Sequence, residues 1–270
     1  MRESGGLDRP GRAKGLLNLE NAWAGYGNRK VVRGVSLTIE RGEFCALLGL
    51  NGSGKTTLLK ALCGLLPMEE GRCLVDGLDC TGFNEYKRAR YISYIPQRYS
   101  KMQGVTVLDA VLMGRNPHLA LFASPAAADR QQAKNLLDKM GIPQLAHEDF
   151  ARISEGQKQL VILARTLLQD APVMLMDEPD SALDFLNRHK MLSRVRQLIQ
   201  DEGKAGLVTL HDPNFALAYC HRIFLLQKGQ IIGQLSLAEA SKEEIWGCLA
   251  KIYGDIVMLE HEGKYMMLQA

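Results

Sequence analysis

The chain has 270 residues, of which 46% are hydrophobic and 23% are charged. These fractions are ordinary for a globular protein, and they exclude a disordered chain, a collagen-like repeat and a small disulfide-stabilised scaffold. Lysine and arginine total 33 against 30 acidic residues, so the formal net charge is only +3. A charge this small gives no reason to expect a nucleic-acid partner.

The N-terminal residues 1–14 are polar, glycine-containing and charged, and they lack the apolar core of a signal peptide. We therefore expect a flexible tail over 1–14. The longest apolar runs are strand-sized, far short of the 18 or more residues that cross a bilayer. The six cysteines show no CxxC spacing, which favours reduced thiols in a cytoplasmic protein.

From residue 17 onwards, short apolar segments alternate with longer amphipathic ones, a pattern typical of a mostly parallel sheet covered by helices. The predicted strands are 17–22, 35–39, 44–48, 91–95, 173–176, 206–210 and 223–226. The predicted helices are 55–65, 106–113, 126–140, 156–168 and 185–200. Segments 256–260 and 265–269 flank Glu262-Gly263-Lys264 and predict a hairpin within a C-terminal unit, 255–270.

Residues 98–170 differ from the rest of the chain because their pattern is entirely helical, with prolines at the joints. We interpret them as a helical subdomain inserted between two sheet-forming halves. The main domain is then expected over 15–254.

The segment from Gly49 to Thr56 matches the phosphate-binding pattern G-x-x-x-x-G-K-[ST] in full. It follows a predicted strand and opens a predicted helix, so backbone N–H groups and the helix N-terminus converge on an anion. Lys55 is placed to contact the β- and γ-phosphates, and the Thr56 hydroxyl suits Mg²⁺. A chance glycine-rich turn is the alternative interpretation. The predicted nucleotide contacts are Gly49, Asn51, Gly52, Ser53, Gly54, Lys55, Thr56 and Thr57.

The apolar strand at 173–176 ends in two adjacent carboxylates, Asp177 and Glu178. Asp177 fits a metal-organising carboxylate, and Glu178 can polarise an attacking water. An apolar strand followed by an acid is common in isolation. The same chain also contains a phosphate-binding motif, which favours the functional interpretation.

Ser154-Glu155-Gly156-Gln157 precedes an amphipathic helix and has a purely structural explanation as a capping box, with Ser154 as the N-cap. His211 likewise precedes Asp212-Pro213, which fits the start of the next helix. Neither motif establishes a function alone.

The order of these motifs resembles the ATP-binding subunit of an ABC transporter over nearly the whole chain. The resemblance implies an α/β fold: a P-loop NTPase core with a mostly parallel sheet, an antiparallel β portion near the N-terminus and an inserted helical subdomain. It also implies ATP and Mg²⁺ as cofactors, and metal contacts from Thr56, Gln97 and Asp177.

The resemblance further implies a role for each remaining motif residue. Tyr26 would stack on adenine, Gln97 would bridge the metal site and the helical subdomain, and His211 would contact the γ-phosphate. Ser154, Gly156 and Gln157 would reach the γ-phosphate bound by the opposite subunit, and Asp184 would link the two sites. Glu178, His211 and Gln97 are the expected catalytic residues of a homodimer that hydrolyses ATP.

Two positions depart from the usual family pattern. Glu155 stands where the signature commonly has glycine, and it brings negative charge towards a phosphate. Asp180 stands where threonine is usual, and we expect a tolerated surface change. Because Glu178 is retained, we expect hydrolytic competence.

Met113-Gly114-Arg115-Asn116-Pro117-His118 is similar to a segment of the importer ATPases that serve iron-siderophore, haem and cobalamin uptake. A plainer interpretation is a helix that ends at Gly114, with Arg115 and His118 solvated. The importer resemblance implies integral membrane permease subunits, indirectly a substrate-binding protein, no nucleic acid, and a location on the cytoplasmic face of the membrane. An exporter ATPase, or a soluble ABC ATPase acting on nucleic acid or ribosomes, is the alternative.

Overall fold

The computed structural model describes residues 15–97, 102–120, 123–181 and 183–270, so the predicted tail at 1–14 lies outside the described residues. The strands are β1 Leu17–Tyr26, β2 Arg29–Ile39, β3 Phe44–Leu48, β4 Glu70–Val75, β5 Leu78–Asp79, β6 Ile92–Ile95, β7 Val173–Asp177, β8 Ala205–Thr209, β9 Arg222–Gln227, β10 Gln230–Ser236, β11 Ile256–His261 and β12 Lys264–Gln269.

The helices are α1 Lys55–Cys63, α2 Glu85–Arg88, α3 Val107–Leu112, α4 Ala127–Met140, α5 Glu155–Leu168, α6 Phe185–Asp201, α7 Pro213–Tyr219 and α8 Lys242–Tyr253. Short 3₁₀ helices span Met113–His118, Pro143–Leu145 and Phe150–Arg152. In the described part of the chain, no helix has both the length and the apolar character needed to cross a membrane.

The central sheet has the strand order β10-β9-β3-β8-β7-β6, and all its pairings are parallel except that of β10 with β9. Strands β3, β7 and β8 are buried along their whole length, as expected for parallel strands covered on both faces. Because parallel strands share an edge for their carboxyl ends, the residues that follow β3, β7 and β8 meet there. That edge carries the candidate site.

A second, antiparallel sheet has the order β2-β1-β4-β5. Helix α1 lies between the two sheets: its Leu58, Leu59 and Leu62 share one buried cluster with Leu19 of β1 and Phe224 of β9. The expected α/β architecture with an antiparallel portion near the N-terminus is therefore confirmed.

The described residues between 102 and 170 contain only helical segments. Helices α3, α4 and α5 pack around a shared apolar cluster that includes Val111, Leu137 and Ile162. Arg115 and His118, which the plainer interpretation left solvated, both have partners. The guanidinium of Arg115 lies 2.8 Å from Asp129, and His118 Nε2 lies 2.8 Å from the Gln169 carbonyl oxygen.

The C-terminal strands β11 and β12 form the expected hairpin. Asn214 in α7 holds β12, because its Nδ2 donates to the Met267 carbonyl (3.1 Å) and its Oδ1 accepts from the Met267 amide (2.7 Å). All six cysteines are free and buried, and burial raises the pKa of the Cys63 thiol to about 11.

Candidate functional site

The phosphate-binding loop is shaped by glycines that no other residue can replace cheaply. Gly52 and Gly54 adopt φ values of +77° and +109°, a region that L side chains rarely occupy. A Cβ added to Gly49 would lie 2.3 Å from the Leu226 carbonyl oxygen, so close packing against β9 also requires glycine there. The loop is thus fixed between β3 and the start of α1.

Residues from the turn between β9 and β10 brace this loop, a feature that the sequence did not reveal. The Gly229 amide donates to the Ser53 carbonyl oxygen at 2.9 Å. Gly229 has φ +81°, and a Cβ there would meet the Val31 carbonyl oxygen at 1.9 Å. The loop is therefore held by β9 and by the turn that follows β9.

The Lys55 ammonium lies in the mouth of the loop. Its Nζ donates to the carbonyl oxygens of Gly49 (2.8 Å) and Leu50 (3.4 Å). Burial lowers the pKa of Lys55, and the nearby carboxylates of Glu178 and Asp177 oppose that shift. A partly desolvated ammonium next to open backbone amides suits a polyphosphate.

Glu178 lies at the centre of a polar network that gathers the three residues expected to be catalytic. Its Oε2 accepts a hydrogen bond from Gln97 Nε2 and lies 2.7 Å from His211 Nε2. Glu178 has φ +48°, an unusual value for a residue with a side chain, and strained backbone of this kind clusters at functional sites. The side chain is only 8% exposed, so its orientation is fixed.

Asp177 is buried, and residues of the two neighbouring strands hold its carboxylate oxygens. Its Oδ1 accepts from Thr209 Oγ1 at 2.8 Å, and its Oδ2 accepts from the Tyr94 hydroxyl at 3.3 Å. The Thr209 hydroxyl in turn accepts from the Glu178 amide at 2.9 Å. Burial, and secondarily the charge of Asp177, raise the pKa of Tyr94. Thr209 therefore fixes both carboxylate-bearing residues.

Most of the predicted site residues line one cavity of about 560 Å³. Of those residues it is lined by Tyr26, Asn51, Gly52, Ser53, Gly54, Lys55, Thr56, Thr57, Gln97, Glu178 and His211. Arg29 and Val31 also line it and were not predicted. Asp177 and Gly49 lie outside this lining.

The cavity fits a nucleotide by its chemistry. Ser53 Oγ is buried and has no hydrogen-bond partner among the described residues, and Lys55 and Arg29 supply positive charge. Thr56 and Gln97 line the cavity, and together with Asp177, which lies outside the lining, they offer side-chain oxygen atoms of the kind Mg²⁺ prefers. Within the described ranges, no cluster of three or more His, Cys, Asp or Glu side chains is suited to a metal ion.

Ser154, Gly156 and Gln157 line a different groove, of about 650 Å³, between α5 and α6. The groove shares no lining residue with the cavity of the phosphate loop. Ser154 does form the predicted capping box: its Oγ accepts from the Gln157 amide at 3.3 Å, and Gln157 Oε1 accepts from the Ser154 amide at 2.9 Å. Asp184 caps α6 through the Asn187 amide (2.8 Å). One chain therefore does not bring these four residues to its own phosphate loop.

The expectation that Asp180 is a surface change is wrong. Asp180 is 2% exposed, its Oδ1 has no hydrogen-bond partner in the described part of the chain, and burial raises its pKa. The turn after Glu178 folds back on itself, through the Ser181 amide to the Glu178 carbonyl (3.2 Å), and this carries Asp180 inwards.

Thr209 and Tyr94 are functional-site residues that the sequence interpretation missed. A signal existed for Thr209: it lies two residues before His211, near the carboxyl end of the predicted strand 206–210, and so at the sheet edge where Glu178 lies. The burial of a tyrosine hydroxyl against Asp177 had no comparable sequence signal.

Comparison with known proteins places this geometry in a family. Residues 32–181 match the family described as ABC transporter. The chain is 35% identical over 222 residues to a probable iron chelatin transport ATP-binding protein from Helicobacter pylori (82% of this chain, 87% of the relative). It is also 35% identical over 240 residues to a hemin import ATP-binding protein from Shewanella denitrificans (86% and 93%).

Two solved structures share the fold. One is of a metal-chelate type ABC transporter in an inward-facing conformation, with a TM-score of 0.76 and 28% identity over 93% of this chain and 95% of that chain. The other is a dimeric bacterial ABC transporter cassette, with a TM-score of 0.72 and 27% identity over 82% and 98%. With the phosphate loop, Glu178 and His211 assembled around one cavity, this chain belongs to the ABC transporter family as an ATP-hydrolysing, ATP-binding subunit.

Proposed function

We propose that this chain powers the import of an iron chelate or haem, by hydrolysing ATP as a homodimer bound to membrane permease subunits. The observation that carries the proposal is the division of the expected site over two separate surfaces. The phosphate loop, Gln97, Glu178 and His211 share one cavity, and the signature residues lie on another.

In this proposal the cavity binds ATP through the loop amides, Lys55 and Arg29, with the exposed Tyr26 ring stacked on the adenine. Thr56, Gln97 and Asp177 would hold Mg²⁺. When bound, Mg²⁺ supplies charge neutralisation for the phosphoryl group being transferred.

Glu178 is placed to act on the attacking water. Its Oε2, held by Gln97 and His211, accepts the hydrogen bond that aligns the water with the γ-phosphorus. The water oxygen then bonds to the γ-phosphorus as the bond from that phosphorus to the β–γ bridging oxygen breaks, and Glu178 takes up the water's proton, which gives ADP and phosphate. Lys55 stabilises the charge on the transferred group, and His211 contacts its oxygens.

A second copy of the chain supplies what the first lacks. In a head-to-tail homodimer, Ser154, Gly156 and Gln157 of one copy face the γ-phosphate held by the other. Two large apolar side chains next to Asp184, Phe185 (74% exposed) and Leu186 (60% exposed), support an interface there. The similar cassette with a TM-score of 0.72 is dimeric, which supports a dimer of this chain.

The permease is proposed to dock in a groove of about 870 Å³ between the end of α1 and α2. Apolar side chains line it, among them Leu66, Met68 and Phe83. Tyr86 joins this groove to the helical region, because its hydroxyl oxygen lies 2.6 Å from the carbonyl oxygens of both Asn116 and Leu119 and can donate to either. Docking there would couple movement of the helical region to the membrane.

The iron chelatin and hemin relatives support the choice of cargo.

The test is gentle solubilisation of membranes that contain the tagged chain, followed by mass spectrometry of what co-purifies. We expect a polytopic permease together with a substrate-binding protein of the siderophore or haem type. Met68→Glu should abolish recovery of the permease, whereas Met266→Glu, on an exposed face of the C-terminal hairpin, should not. Recovery of an exporter permease would contradict the direction of transport, and recovery with ribosomes or nucleic acid would contradict the transport role.

A further inference from the structure

Glu155 is the first residue of α5, and its carboxylate belongs to the surface that the proposed function places against the partner's γ-phosphate. The side chain is 63% exposed. An unneutralised carboxylate at this place would repel the phosphate and would also oppose the positive end of the helix dipole that attracts it.

Lys158 neutralises this carboxylate one turn further along the helix. Its Nζ lies 2.7 Å from Glu155 Oε1, and its side chain is only 17% exposed, so the ammonium is held in place along the helix surface. The groove next to the pair is lined by two more cations, Lys190 and Arg194, for which the described residues provide no ion-pair partner. The surface around Ser154 therefore stays cationic although it contains an acid.

We propose that Lys158 is a positioning residue for ATP-driven dimerisation, which keeps the Glu155 carboxylate paired and so permits the partner's γ-phosphate to approach Ser154 and Gly156. The proposal rests on the proposed function, because it requires the phosphate to arrive from a second copy. Lys158 is not one of the predicted motif residues, and the fold does not require this role of it.

The experiment is a double-mutant cycle in the Glu178→Gln background, in which slow hydrolysis lets the ATP-bound dimer accumulate. Lys158→Met, Glu155→Gln and the double variant are compared, and the ATP concentration for half-maximal dimerisation is measured by analytical ultracentrifugation. Methionine preserves the buried stem of the lysine. Binding of a fluorescent ATP analogue to the dilute monomer is measured in parallel.

We expect Lys158→Met to raise the ATP concentration for half-maximal dimerisation by about tenfold at low salt, since one unpaired charge then faces a phosphate. High salt should shrink that difference by screening it. The double variant should return to within about twofold of the parent, since no carboxylate remains to be neutralised. Monomer binding of the analogue should be unchanged throughout, and Lys134→Met on exposed α4 serves as the matched control.

Two results would overturn the proposal: an unchanged ATP requirement in Lys158→Met, or a defect that persists in the double variant. The second result would show that Lys158 acts through packing. If the Glu178→Gln parent itself fails to dimerise with ATP, the proposed homodimer is contradicted instead, so the two failures are distinguishable.

Discussion

Two helices begin at the proposed ATP interface, α1 at the phosphate loop and α5 at Ser154, and their N-termini are capped differently. The N-cap of α1 is Gly54, which contributes no side-chain cap, and the first turn of α1 contains no acid. Helix α5 has a complete capping box, and Glu155 lies in its first turn. The first four N–H groups of any helix need partners from outside the helix.

This difference assigns the two regions different tasks. Helix α1 leaves its amides open, so the phosphate loop is built to take an anion into a cavity that one chain completes. Helix α5 already pairs two of its first amides, those of Ser154 and Gln157, through the capping box, and it meets its ligand only when another copy approaches. Binding should therefore depend on the first region, and turnover on both.

The largest expected effect separates chemistry from binding in the first region. Glu178→Gln should slow ATP hydrolysis by about 10²- to 10³-fold, because the amide cannot take up the water's proton. The affinity for ATP should stay within about threefold, since the loop and Lys55 are untouched. Phosphate release and equilibrium nucleotide binding measure the two quantities. Turnover near that of the parent would contradict the role assigned to Glu178.

Lys55→Met should have the second largest effect. It removes the ammonium from the loop mouth, and a hydrogen bond to a charged group contributes about 1.5–3 kcal/mol, so ATP affinity of the monomer should fall about 10- to 100-fold. Lys60→Met lies on the same helix outside the cavity lining and is the matched control. Equal affinities for the two variants in a calorimetric titration would show that the loop binds without its lysine.

Much of the first region could be predicted from the sequence because its constraints are local. The glycine spacing fixes the loop, the apolar run fixes β3 with the predicted bounds, and Asp177-Glu178 follows a strand as expected. The expected parallel sheet then brings Glu178 and His211 to one edge. Geometry that depends on backbone type and order along the chain was accessible in this way.

What the sequence left hidden depends on contacts between distant segments. Strand β4 was not predicted, because its first residues, Glu70-Gly71-Arg72, lack a strand pattern and the strand forms by pairing with β1 and β5. Arg88 is 2% exposed although arginines are usually on surfaces, because it donates to backbone carbonyl oxygens such as those of Ala61 (3.0 Å) and Cys80 (2.6 Å). The burial of Asp180 is of the same kind.

The third prediction tests the second region against a matched helix. Ser154→Ala and Ser241→Ala each remove the N-cap of a capping box, in α5 and α8. Each should lower the free energy of unfolding by about 1 kcal/mol. Only Ser154→Ala should also reduce ATP hydrolysis, by about tenfold, with monomer binding of ATP unchanged. Chemical denaturation and phosphate release provide the measurements. Parallel losses of activity in both variants would mean that Ser154 acts only as a cap.

The smallest effect concerns the base of β3, the strand that leads into the phosphate loop. His221 Nδ1 accepts the Phe44 amide at 2.9 Å, so the ring must be unprotonated at that atom. Burial, and then the charge of Arg196, lower its pKa below the ordinary 6.5. Between the pKa values of His221 in the folded and the unfolded chain, only the unfolded chain binds the extra proton. The contribution of the unprotonated ring to the free energy of unfolding is therefore complete above about pH 6.5 and is lost as the pH falls below it.

His221→Asn keeps an acceptor near the Phe44 amide but removes the titration. The ring is only partly buried and solvent screens its charge, so the expected effect is small. Between pH 7.5 and pH 5, the free energy of unfolding should fall further in the parent than in His221→Asn, by less than about 1 kcal/mol. Urea unfolding at both pH values gives the difference. In the parent, the phosphate loop should weaken with acid before α5 does, since β3 carries the titrating contact and the capping box of α5 contains no titratable group. Amide hydrogen exchange at both pH values would show the order, and equal loss of protection in the two regions would contradict it.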